Sequence, residues 1–180
     1  FSADAQGTLS VDRYSGYKAM QQVKTGKLQL AFCWAHVRRD FVRDGKGFPK
    51  LKAWALLWLG RIRELYRLNR QRLRHTCGSP ELAAAEALLR QHVSAMAALR
   101  DHELTNEKLH FASRKTLISL QEHWSGLTLF VDDPRIPLDN NYGERLIRNP
   151  AVGRKNYYGS GAQWSGRLAM MLFSIFATLV

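Results

Sequence analysis

The densest run of chemistry-bearing side chains is Leu138-Asp-Asn-Asn-Tyr-Gly-Glu-Arg-Leu-Ile-Arg148. Three short polar residues in a row, Asp139, Asn140 and Asn141, are costly in a folded chain unless they cap a helix or bind something. Glu144 follows Asn140 by four positions and Asn141 by three, so the three can share one face near a helix N-terminus. Arg145 and Arg148 lie one turn apart on a neighbouring face. A carboxylate among amides and guanidinium groups suits a hard metal ion facing a phosphodiester. Asn141 and Glu144 also have the spacing of a capping box, and on periodicity alone the two readings stand level. Asp12 is the second candidate. It closes the alternating stretch Thr8-Leu-Ser-Val-Asp12, and strand ends are where open α/β sheets hold ligands. An aspartate at such a place also forms turns. The chemistry the two acids could share is two-metal phosphoryl transfer, in which Mg²⁺ or Mn²⁺ clamps the attacking and leaving oxygens.

Basic residues supply a partner. The 180 residues carry 27 Lys and Arg against 15 Asp and Glu, a net charge of +12, and that excess favours a polyanion such as nucleic acid. Eight Lys and Arg fall between Lys50 and Arg74 with one acid, Glu64; five fall between Arg145 and Arg167 with none. Arg154-Lys-Asn-Tyr-Tyr158 adds aromatic residues suited to stacking on unpaired bases. The stripe from Arg61 to Arg74 reads equally well as a solvated helix face. Gly159-Ser-Gly-Ala-Gln-Trp-Ser-Gly166 lacks the Gly-Lys-Ser/Thr of a P-loop, so no nucleotide cofactor is assigned. Cys33, His36, His75 and Cys77 have the residue types of a zinc site, but the second pair is separated by one residue and fits poorly. Cys33 reads more simply as a buried strand residue. Two cysteines suit a reducing compartment. The longest apolar run, Leu168 to Val180 with Ser174 and Thr178 inside it, is too short to span a bilayer, so no membrane partner is expected.

The elements that must position these groups are α/β at the start and helical thereafter. Thr8–Asp12 and Lys27–Trp34 read as strands, the second with Leu28, Leu30 and Phe32 on one face, and a short helix fits between Tyr14 and Val23. From Ala35 the chain turns helical. Leu51, Trp54, Trp58, Ile62, Leu65 and Leu68 step by three and four along one face, with Arg61, Arg63, Arg67, Arg70, Arg72 and Arg74 opposite. Gly78 ends that helix, and Ser79-Pro80-Glu81 starts the next, which runs to about Arg100. A third helix is predicted from near Arg114 through Trp124, a break at Asp132–Pro137, and a helix from Asn141 through Arg148. Gly153–Gly166 reads as a connection and Arg167 onward as a final apolar helix.

Four blocks occur in order: Ser10-Val-Asp-Arg-Tyr-Ser-Gly-Tyr17, Cys33-Trp-Ala-His-Val-Arg-Arg-Asp-Phe41, Leu138–Arg148 and Val152-Gly-Arg-Lys-Asn156. Together they resemble the catalytic core of bacterial DDE transposases of the insertion-sequence-66 family. The resemblance implies a predominantly helical α/β chain, part of a ribonuclease-H-like fold with an all-helical insertion. On that layout residues 1–45 carry the second acid, 46–112 are the insertion, and 113–180 carry the third acid. Asp12 matches the second acid and Glu144 the third, both as ligands of Mg²⁺ or Mn²⁺. His36, Asp139, Asn140 and Asn141 would orient them. Arg38, Arg39, Arg145, Arg148, Arg154, Lys155 and Asn156 would face DNA, both transposon ends and target.

The implied activity is DNA strand cleavage and strand transfer in the bacterial cytoplasm, at the nucleoid, with a homo-oligomer left open. The fold's first aspartate lies upstream of the second, where this chain has only Asp4 in a polar stretch. The expectation is therefore a fragment lacking the first acid and three strands, inactive alone. Arg13 stands where the family usually has glycine. The rival readings are a non-catalytic DNA-binding remnant, a nuclease that only hydrolyses, and a basic helical scaffold in which Asp12 and Glu144 lie far apart.

Overall fold

A computed structural model describes residues 4–156 and 161–178, with side chains except at 147, 149–151, 154–156 and 176–178. The chain divides into two compact units, one ending at Asp139 and the other beginning at Asn140. The first contains strands β1 (Gly7–Val11) and β2 (Leu28–Phe32) and helices α1 (Ser15–Lys18), α2 (Gln21–Lys24), α3 (Trp34–Gly47), α4 (Lys52–Arg72), α5 (Pro80–Thr105), α6 (Phe111–Glu122) and α7 (Trp124–Asp132). The second contains α8 (Asn141–Asn156) and α9 (Gln163–Thr178), which pack on each other.

The strands pair in parallel, from Gly7 opposite Leu28 to Val11 opposite Phe32, with α1 and α2 as the crossover between them. Ala31 is buried along with Leu28, Leu30 and Phe32, so the second half of β2 is covered on both faces, while Gln29 is exposed. Helix α7 lies so close to it that a methyl group at Gly126 would come within 2.4 Å of the Leu30 carbonyl oxygen. The indole N–H of Trp34 donates to the Leu127 carbonyl at 2.7 Å and ties α3 to the same helix.

The three-and-four spacing on α4 places Trp58, Ile62 and Leu65 in the core against Phe41, whose ring stacks on Trp58 at 5.2 Å. Glu103 accepts from the indole N–H groups of both Trp54 and Trp58, so the polar edges of these large rings are satisfied inside the packing. One member of the predicted solvent stripe is misplaced by periodicity. Arg72 is 1% exposed and donates to the Val131 and Phe130 carbonyls at 2.9 and 2.6 Å, where α7 ends and its carbonyls lack helical partners.

Gly78 takes a positive φ of 81°, and the Ser79 hydroxyl accepts the Leu82 N–H at 3.1 Å, as the cap sequence predicts. Helix α5 then runs past Arg100 to Thr105. Two boundaries differ from expectation. The third helix starts at Phe111, capped by His110 Nδ1, which accepts the Ala112 N–H, and it breaks at His123 before Trp124. The predicted connection from Gly153 is helical through Asn156 and again from Gln163, because one glycine costs a helix only about 1 kcal/mol. No helix among the described residues is long and apolar enough to cross a membrane.

Candidate functional site

Asp12 follows β1 directly, and the Cys33 N–H donates to the Val11 carbonyl at 3.0 Å, extending the strand pairing to the start of α3. This sets Asp12 on the wall of an open cleft of about 600 Å³ between the β1 end, α3 and the first turns of α6. His36 lines the same cleft, so these two predicted residues are brought together. Asp12 Oδ1 accepts the N–H of Tyr14 at 3.0 Å, and this turn orients the carboxylate. The turn-forming reading is thus met without closing the ligand reading, since Oδ2 accepts no hydrogen bond from the described residues.

Two further acids share the cleft. Asp40 is paired with Arg13 and, at 3.0 Å, with Arg43. Asp44 is 5% exposed and accepts the Thr116 hydroxyl at 2.6 Å, with Arg43 3.8 Å away. Arg13 also donates to the Ser119 hydroxyl at 2.9 Å, so with its bond to Asp40 it links α3 and α6. These two acids are thereby committed to Arg13, Arg43 and Thr116. Asp4, 92% exposed and 3.9 Å from Lys27, lies outside the cleft lining.

On α3, Arg38 and Arg39 are exposed, and Arg39 Nη1 donates to His36 Nε2 at 3.0 Å. Asp139 has a hydrogen-bond partner on α4. It accepts the Tyr66 hydroxyl at 3.0 Å, while the Trp34 N–H donates to the Leu138 carbonyl at 2.9 Å. Burial, and then the adjacent Asp139 charge, push the Tyr66 hydroxyl well above its usual pKa.

In the second unit the Glu144 N–H donates to the Asn140 carbonyl at 2.9 Å, the first turn of α8. That register makes Asn140 the cap and sets Glu144 one position beyond where a capping box needs its acid. Asn140, Asn141 and half-buried Glu144 therefore gather at the helix N-terminus, with Arg145 and Arg148 exposed beyond them. Helix α8 includes Arg154, Lys155 and Asn156, but their side chains, Tyr157, Tyr158 and the start of the glycine-rich segment lie outside the described residues.

Mg²⁺ takes one or two carboxylates and fills its remaining positions with water and substrate phosphate. An oriented, half-buried Asp12 on an open cleft fits that donor chemistry. The zinc set is not assembled: Cys33 is buried, Cys77 is exposed, and no group of three or more His, Cys, Asp or Glu among the described residues could hold a metal ion.

Sequence reasoning missed Asp40, Asp44, Tyr66 and Arg13 as parts of this arrangement. Only the Asp40–Asp44 pair, four apart on one helix face, carries a local signal. The other partners are distant in sequence.

No solved structure matches the chain. Its relatives include three uncharacterized proteins of Sinorhizobium fredii (strain NBRC 101917 / NGR234). Protein y4jD is 32% identical over 96% of this chain and 34% of its own length. Protein y4hP is 31% identical over 96% and 33%, and y4qI 32% over 92% and 31%. The chain spans about a third of the length of these curated relatives. The family described as "Transposase IS66 family" matches residues 1–168, so the chain belongs to the IS66 family of transposases.

Proposed function

We propose that this chain is a segment of a DDE transposase catalytic domain, serving metal-dependent DNA strand cleavage and strand transfer at the bacterial nucleoid. On this reading β1, β2 and α3 belong to a ribonuclease-H-like core, and residues 46–112 form its helical insertion. The observation that carries it is the placement of Asp12 at the end of a parallel strand, oriented by its own turn, on a cleft whose other acids are already neutralised. Family membership supports DNA as the substrate, as does the net charge of +12.

Asp12 and Glu144 would hold Mg²⁺ or Mn²⁺, whose chemistry is to activate the attacking oxygen and stabilise the leaving one. His36 orients the Asp12 side of the site, and Asn140 and Asn141 the Glu144 side. Arg38, Arg39, Arg145 and Arg148 meet phosphates, as do Arg154, Lys155 and Asn156. The paired Asp40 and Asp44 cannot replace a third metal-binding acid, so the segment alone binds DNA without cutting it.

The test is a full-length form bearing this segment, given Mg²⁺ or Mn²⁺ and its own terminal DNA. Cleavage is expected, with Asp12→Ala and Glu144→Ala each abolishing it while salt-dependent binding survives. A correctly folded full-length form that never cleaves, or cleaves equally well in both variants, sinks the proposal. The second reading, a non-catalytic DNA-binding remnant, draws on the Asp12 turn, which gives that residue a structural task of its own.

A further inference from the structure

We propose that the mouth of the Asp12 cleft is a stacking site for one unpaired DNA base, built on Phe111. This rests on the DNA reading above and adds what part of the DNA this surface takes. Phe111, at the first position of α6, lines the cleft and is 69% exposed. Its ring lies 4.5 Å from that of His110, tilted by 31°, and 5.3 Å from Phe48 at 84°, with His110 and Phe48 4.8 Å apart.

The cluster is held from below. His110 Nδ1 accepts the Ala112 N–H at 3.2 Å as the cap of α6, and the Phe48 N–H donates to the Asp44 carbonyl at 3.0 Å where α3 ends. The His110 ring is thus fixed by a hydrogen bond from the backbone, the Phe48 backbone is held at the end of α3, and the third ring presents most of its surface to solvent. An aromatic ring held in place loses little entropy when something stacks on it.

The surroundings select the occupant. Lys115, one turn along α6 from Phe111, is exposed on the same cleft, and Arg43 is 66% exposed across from it. Asp40 and Asp44 are spent on Arg13, Arg43 and Thr116. A large exposed ring beside the outward-facing Lys115, on a chain of net charge +12, matches a polyanion that carries flat apolar groups. In duplex DNA the base faces are already stacked on one another, so the group that fits is an unpaired base with its phosphate on Lys115. Tyr14, 66% exposed, continues the aromatic lining beside Asp12. Gly16 makes room for it, since a methyl group there would come within 2.4 Å of the Tyr14 ring.

The test is fluorescence anisotropy with labelled oligothymidine and with a blunt duplex of equal length. Phe111→Ala is expected to weaken single-strand binding by about 5- to 150-fold and to leave duplex binding unchanged. Phe111→Trp should retain single-strand affinity, with its emission quenched by the oligonucleotide. Equal single-strand affinity in wild type and Phe111→Ala, or an equal loss on both DNAs, overturns the stacking site alone. Wild-type protein that binds neither DNA overturns both this inference and the DNA reading beneath it.

Discussion

Tyr66, in the second half of α4, donates its hydroxyl to Asp139 Oδ2 at 3.0 Å across 73 residues of sequence. Together with the bond from the Trp34 N–H to the Leu138 carbonyl, it pins the last residues before α8 to the junction of β2 and α3. Helix α4 and the start of α3 are thus tied to residues 138 and 139, where the first unit ends. Tyr66→Phe removes one partly buried hydrogen bond and should cost about 1 kcal/mol in urea unfolding. The sharper readout is local: amide exchange over residues 138–141 should accelerate in the variant, and unchanged exchange there would show that the bond anchors nothing.

Arg72 and Arg70 test the correction to the basic stripe. Arg72→Ala leaves the Phe130 carbonyl without its donor and the Val131 carbonyl with only the 3.5 Å bond from Arg90, at about 1–3 kcal/mol for each buried group left unpaired. Arg70→Ala, on the exposed face, should cost under about 0.5 kcal/mol. Chemical denaturation of the two variants checks the contrast, and equal losses would contradict the buried assignment.

Gly126 allows α7 to lie directly on β2. A methyl group there meets the Leu30 carbonyl at 2.4 Å and the Phe32 ring at 2.5 Å, and backbone cannot swing aside. Gly126→Ala should therefore destabilise the first unit by about 1–3 kcal/mol, despite the better helix propensity of alanine. A thermal melt as stable as wild type would show that α7 sits farther from the sheet.

His123 gives the fold a pH dependence. It is 6% exposed, donates from Nδ1 to the Ser119 carbonyl at 2.8 Å and meets Phe32 edge-on at 4.8 Å. Burial lowers its pKa first; the Ser119 bond opposes that, Lys18 and Arg13 add to the lowering, and Glu122 opposes it. The unfolded chain therefore takes up this proton more readily than the folded one. Stability is full above the unfolded value of about 6.5 and declines as pH falls below it. Between pH 7.5 and 5.5 wild type should lose more stability than His123→Phe, measured by urea midpoints; parallel losses would remove His123 from the explanation.

What was legible in the sequence follows from where the information lies. The strand of Thr8–Asp12, the α4 face of Trp58, Ile62 and Leu65, and the Ser79-Pro80 cap are set by neighbours within one or two turns, and each was readable. Asp12 and His36, expected together from the order of the family blocks, line the same cleft. Apart from Arg43, which neighbours Asp40 and Asp44 on α3, the partners of Arg72, Asp40, Asp44 and Asp139 named above lie between 27 and 73 residues away, and no local pattern encodes them. Periodicity put Arg72 on a charged face because it cannot register that α7 ends there with open carbonyls. Phe111 escaped notice because a single aromatic residue at a helix start has no pattern until Phe48 is brought beside it.

The proposal that Asp12 and Glu144 hold metal together is tested most directly by Mn²⁺ titration followed by electron paramagnetic resonance, on wild type, Asp12→Asn and Glu144→Gln. Wild type should bind Mn²⁺, and each single substitution should weaken that same binding by more than about tenfold, the loss expected from removing one of very few protein ligands. Wild type without a bound ion, or unchanged binding in either variant, would contradict a site shared by these two acids.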